Sequence, residues 1–152
     1  MPKRQRIIFF TGLALYAISF LLLAVSFASI FIPPLRGWEC AEAALLLPWD
    51  SNPLSKGVFA WAALLLSGLI NPAFLLAAIL IWRQRARHVV LTLAVAILVM
   101  IPFCWIVFRN ENLHPREGYF LWILGMILVL FSGFLSQRIG LPAAPAESQN
   151  TA

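Results

Sequence analysis

The most chemically unusual residue in this chain is an amide. Asn71 is followed by Pro72 near the centre of an uncharged apolar run, residues 57–82, three positions after Gly68. Proline has no N–H, and its ring collides with the carbonyl four residues back, here that of Gly68, so a helix through this point kinks or opens. In hydrocarbon the freed carbonyl meets no water, and Asn71 supplies two donors and an acceptor at the same depth. Two roles follow. In the structural one Asn71 bonds across to another helix and locks a kink, such bonds averaging about 0.6 kcal/mol in membranes. In the functional one Asn71 caps, and Pro72 begins, a half-helix whose positive end faces a ligand. Carriers built that way carry a matching break in a second repeat. Pro102 has no polar neighbour and lies at another depth, so the structural role is the expected one. Gly68, Asn71 and Pro72 form the candidate structural or ligand site.

The two thiols come next. Cys40 and Cys104 are too far apart for a redox or zinc motif, and exchange through mixed disulfides needs a closely spaced pair. They are either two isolated thiols or partners in one structural disulfide. Glu39, Glu42, Asp50, Glu111, His114 and Glu117 share one side of the chain's threading. Carboxylates and a histidine can hold a metal or transfer protons, but their spacing matches no ligand set, and solvated loop carboxylates are the simpler account. No metal, cofactor or catalytic group is expected. Arg83, Arg85 and Arg87, with His88 beside them, form a basic hairpin suited to anionic lipid headgroups, at about 1 kcal/mol per charge.

The elements that must position these residues are membrane helices. Of 152 residues, 62% are hydrophobic and 11% charged, against about 45–50% and 25% in soluble domains. The apolar residues fall into runs near the roughly 20 residues that cross a bilayer. The net charge of +5 does not indicate nucleic acid, because the basic residues flank apolar runs instead of forming one face. The expected fold is all-α: one domain, residues 1–138, with transmembrane helices at about 7–32, 57–82, 89–108 and 118–136. The first run exceeds the 7–15 apolar residues of a signal peptide, so it reads as a retained helix, with cleavage near residues 24–28 as the alternative. Residues 33–56 form a loop. It is amphipathic through Trp38, Trp49 and residues 43–47, with Glu39 and Glu42 in the first turn of a short interfacial helix and a turn at Ser51-Asn52-Pro53. Residues 139–152 read as a disordered tail.

Four crossings place both termini on one side. That side carries Lys3, Arg4, Arg6, Arg83, Arg85, Arg87 and Arg138, and the other carries Arg36, Lys56, Arg109 and Arg116. Positive residues favour the cytoplasm, so both termini are expected inside. Trp61, Trp105, Tyr119 and Trp122 then fall near the outer boundary and Trp82 near the inner one. Small residues are the expected contact points between helices: Gly118, Gly125 and Ser132 on the fourth helix, Ala63, Ser67 and Asn71 on the second, and Ala17, Ala24 and Ala28 on the first. None of the four runs contains an Asp, Glu, Lys, Arg or His, which argues against proton-coupled transport.

Gly37-Trp38-Glu39-Cys40, Asn71-Pro72, the arginine hairpin and Gly118-Tyr119-Phe120-Leu121-Trp122 together resemble a group of small uncharacterised bacterial four-helix membrane proteins. The resemblance implies a bacterial inner-membrane location and carries no activity. The thiol-oxidising four-helix proteins are not matched, since their cysteine pairs are missing. Small multidrug transporters are not matched either, since they need an acidic residue in the first helix. The expectation is a non-enzymatic accessory or interaction module, in contact with the bilayer and with a membrane-protein partner or a second copy, and not with nucleic acid. The alternative is a small oligomeric carrier or channel using the Asn71-Pro72 break.

Overall fold

A computed structural model of the chain describes residues 1–27, 33–50 and 57–139. The expected turn at residues 51–53 and the tail from residue 140 onward lie outside them. Among the described residues five helices and three short strands follow in the order α1 (Lys3–Ser19), β1 (Leu23–Phe27), β2 (Leu35–Arg36), α2 (Gly37–Asp50), α3 (Val58–Trp82), α4 (Arg87–Asn110), β3 (Leu113–Pro115) and α5 (Glu117–Ile139). Three of them, α3, α4 and α5, are long and apolar enough to cross a membrane. Their bounds fall within a few residues of those expected. α1 and α4 run toward the sheet, and α3 and α5 run away from it.

The first apolar run corrects the expectation. A single helix over residues 7–32 is not what forms: α1 stops at Ser19 and the chain becomes a strand at Leu23. The all-helical fold therefore gains an antiparallel sheet of order β2-β1-β3, in which Val25 faces Leu35 on one side and Pro115 on the other. The physical reason is that backbone groups released at the end of α1 find partners elsewhere in the chain. Gly37 N–H donates to Leu22 O at 3.0 Å, Trp38 N–H to Phe20 O at 3.1 Å, and Arg116 N–H to Ala24 O at 2.8 Å. A short uncharged apolar run suits a buried strand and a helix equally, so partners decide between them.

The expected short helix in the 33–56 loop is present as α2. Glu39 sits at its third position and accepts the backbone N–H of Arg36 at 2.6 Å, the return half of a capping box. α2 lies against α3. A Cβ on Gly68 would collide with the carbonyl of Ala44, and Trp61 Nε1–H donates to Pro48 O at 2.9 Å. Gly68 is therefore the residue that lets α2 dock on α3.

α1 and α5 form the closest helix pair. A Cβ on Gly125 would lie 2.6 Å from Tyr16 N and 2.8 Å from Gly12 O, and one on Gly12 would lie 2.8 Å from Gly125 O. Gly118 meets Leu23 O of β1 at 2.8 Å in the same sense, and Ser132 is fully buried with its hydroxyl donating to Val129 O. Two residues of the expected stripe on α5, Gly125 and Gly118, are thus the seam against α1 and β1. On α1 the complementary residue is Gly12 and not Ala17, which is exposed; Ala24 belongs to the strand, and Ala28 lies outside the described residues. The core between the helices is built from Phe9, Tyr16, Ile70, Phe74, Ile97 and Met126. Phe9 stacks on Trp82 at 5.8 Å, closing the end away from the sheet. Large apolar side chains on α3, α4 and α5, including Leu75, Leu76, Val95, Leu98, Ile127 and Phe131, remain exposed, a surface that lipid or a partner must cover.

Candidate ligand cavity beneath the sheet

Asn71 joins three helices. Its Oδ1 accepts the Tyr16 hydroxyl of α1 at 3.0 Å and the Trp122 indole N–H of α5 at 2.9 Å. An indole N–H can only donate, so the atom facing Trp122 must be the amide oxygen. α3 continues through Pro72, which is exposed on its surface, without losing helical structure. Asn71 therefore lies inside an unbroken helix and caps no half-helix. Tyr16 also packs on Phe74 one turn further along, ring centroids 4.4 Å apart.

Above this clamp, between the bundle and the sheet-and-α2 cap, lies a cavity of about 350 Å³. Its wall is largely apolar, with Phe20 and Val25 from the cap connection, Leu64 from α3 and Phe108 from α4. Asn71, Ser67 and Trp122 contribute polar atoms that already have partners, Ser67 Oγ donating to Leu64 O at 2.7 Å. Tyr119 differs. It is 5% exposed, packed edge-on to Phe108 at 4.9 Å and stacked on Trp122 at 5.8 Å, and its hydroxyl has no hydrogen-bond partner. A buried hydroxyl left unpaired costs about 1–3 kcal/mol. Tyr119 and Trp122 were expected at the membrane boundary as amphipathic anchors. Both turn inward instead, because each has a place in this wall.

Cys40 and Cys104 line the same cavity, and both are free thiols in this structure. The fold thus brings together two cysteines that the sequence leaves far apart. Burial, and secondarily the Glu39 carboxylate, push the Cys40 thiol up to about 11. Only the thiolate is nucleophilic, so Cys40 is expected to react with iodoacetamide at pH 8 roughly a hundredfold more slowly than an unshifted thiol, each pH unit being tenfold. The rate should climb steeply toward pH 11. Alkylation followed by mass spectrometry between pH 7 and 10 checks this, and a rate that levels off near pH 9 would contradict it.

The remaining candidates are dispersed. His114 lies in β3, and Glu111 and Glu117 flank it on exposed positions. Among the described residues no three His, Cys, Asp or Glu side chains gather in a metal-binding group. Arg83, Arg85 and Arg87 are exposed at the α3–α4 hairpin, at the end away from the cavity, where Gln84 and Ala86 adopt left-handed backbone angles. Sequence reasoning missed Tyr16 and Tyr119. Neither has a local signal, since an aromatic residue in an apolar run reads as core or interface and only the neighbouring helices show which. No protein-family model matches the chain, nor does any curated protein or solved structure.

Proposed function

We propose that the chain is a four-span membrane protein that works without catalysis, as an accessory or interaction module of the bacterial inner membrane. α2 carries this reading. It is held on the bundle by the close approach at Gly68 and the Trp61 hydrogen bond, yet presents Trp38, Leu45 and Leu46 about half exposed. A membrane-protein partner or a second copy would cover that face at the membrane surface. The fourth crossing is α1. Its 17 residues span about 25 Å at 1.5 Å per residue, and the exposed Leu21, Leu22 and Leu23 extend the apolar length toward the sheet. Both termini would lie in the cytoplasm, because Lys3, Arg4, Arg6, Arg83, Arg85 and Arg87 gather at the end away from the sheet. The three hairpin arginines would meet headgroups there. The carrier alternative has less in its favour, since α3 is continuous at Pro72 and Asn71 Oδ1 already accepts two donors.

Single cysteines placed at Gln84 and Asn112, in a background with both native cysteines replaced by serine, test the threading. They are expected to react with a membrane-impermeant maleimide from opposite faces, Asn112 from outside. Labelling of both from one face would overturn the four-span arrangement. Purification in mild detergent is expected to yield a stoichiometric partner or a homo-oligomer that Trp38→Ala with Leu46→Ala weakens. A strictly monomeric, partner-free protein would overturn the module reading.

A further inference from the structure

We propose that the end of the bundle away from the sheet holds one lipid whose headgroup carries two phosphates. Lys3 and Arg6 of α1 take one phosphate, and Arg83 and Arg85 of the α3–α4 hairpin take the other. Two basic segments far apart in the chain are joined there by ring contacts. Phe9 stacks on Trp82 at 5.8 Å and Phe10 meets it edge-on at 5.4 Å, and Trp82 is the residue before Arg83. Lys3, Arg6 and Phe10 fall at i, i+3 and i+7, so they share one stripe of α1. Arg6 therefore stands about 6 Å beyond the Phe10–Trp82 contact at 1.5 Å per residue, on the side of α1 that meets Trp82. Membrane threading asks only that basic residues lie on one side. The rings do more, because they set these two groups beside one another.

Lys3, Arg6, Arg83 and Arg85 are all exposed. Next to them Ile7, Phe10 and Trp82 are half exposed or more. A soluble polyanion would use the charges alone, whereas a lipid uses the charges for its headgroup and the apolar side chains for its acyl chains. The sign of the charge at this end holds wherever residues 140–152 lie. Of the chain's six acidic residues, Glu39, Glu42 and Asp50 belong to α2, and Glu111 and Glu117 flank β3. The sixth, Glu147, follows α5, and one carboxylate does not offset Lys3, Arg4, Arg6, Arg83, Arg85, Arg87 and Arg138. Arginine grips phosphate through paired N–H donors, so each basic pair suits one phosphate. Two phosphates on a short bridge, as in diphosphatidylglycerol, reach both pairs at once, and a lipid with one phosphate engages a single pair.

The full-length protein, purified in neutral detergent and stripped of lipid, is titrated with diphosphatidylglycerol or with phosphatidylglycerol at equal phosphate, and bound lipid is read by native mass spectrometry. Diphosphatidylglycerol is expected to bind roughly tenfold tighter, since its second contact forms within the complex. Lys3→Gln with Arg6→Gln, and separately Arg83→Gln with Arg85→Gln, should each reduce it to the level of phosphatidylglycerol. Arg36→Gln with Arg109→Gln removes the same charge at the sheet end and should leave the preference intact. The substituted side chains at the proposed site are exposed, so melting temperatures should match the parent. Equal binding of the two lipids by the parent protein would overturn the proposal, as would a preference that survives both pairs of substitutions. A preference lost equally in the sheet-end variant would reduce it to net charge, and displacement of the lipid by equimolar pyrophosphate would show a site for charge without chains; either result overturns it. The site rests on the reading of this end as a membrane surface. Binding in detergent reports on the site whatever the threading, and the maleimide assay reports on the threading.

Discussion

Gly125→Ala is expected to loosen α1 from α5 and to destabilise the protein by about 2–3 kcal/mol, the upper part of the range for overpacking. The added methyl would meet Tyr16 N at 2.6 Å and Gly12 O at 2.8 Å. Both are backbone atoms of a helix, so neither can swing aside as a side chain does. The two helices would have to separate along the seam, which continues into the close approach of Gly118 of α5 to Leu23 of β1. Between helices in lipid, association depends on close packing because hydrocarbon supplies no hydrophobic drive, and separating a glycine contact removes that packing directly. Gly133→Ala is the internal control. Its methyl would meet Ile81 Cδ1 and Cγ1 at 2.9 Å, flexible side-chain atoms that can rotate away, and its loss should be under half as large. Thermal melting in mild detergent measures both. Equal losses for the two glycines would show that the α1–α5 seam is not set by backbone approach.

Asn71→Leu is the second substitution with a large expected effect. It keeps the number and branching of the side-chain heavy atoms and removes the acceptor shared by Tyr16 and Trp122, leaving a hydroxyl and an indole N–H unpaired inside the bundle. Each unpaired donor costs about 1–3 kcal/mol in general. Interhelical bonds in membranes average only about 0.6 kcal/mol, so the combined loss should be about 1–4 kcal/mol. Tyr16→Phe removes one donor and leaves the other bond intact, and should cost under half as much. The decisive measurement is a double-mutant cycle. Once Leu occupies position 71, Tyr16→Phe should become neutral or favourable, because it removes a donor that no longer has an acceptor. Additive losses would mean that Tyr16 contributes through its contact with Phe74 and not through Asn71.

These two substitutions divide what is local from what is not. Three membrane-length helices, the amphipathic helix after the first run and the basic hairpin are all written in consecutive residues: long uncharged runs, Glu39 three positions after Arg36, and arginines between two apolar stretches. Each depends on solvent preference or on hydrogen bonds within a few positions, so the sequence by itself determined them. It also marked Asn71 as a polar atom that must find a partner in another helix, because hydrocarbon offers none. The spacing of Gly118, Gly125 and Ser132 likewise marked a face for close packing.

Tertiary structure decided the rest. Leu23 to Phe27 is as apolar as the helix before it, and becomes a strand because Leu35 and Leu113–Pro115 arrive beside it and take its backbone groups. Hydrogen bonds within a helix are settled locally, whereas those of a sheet are settled by segments some ninety residues away, as Ser26 and His114 illustrate. The identity of Asn71's partners, the pairing of Gly125 with Gly12, and the gathering of Cys40, Cys104 and Tyr119 around one cavity share that character. Each is a meeting of residues from different helices, and periodicity along one helix defines a face without naming what the face will touch.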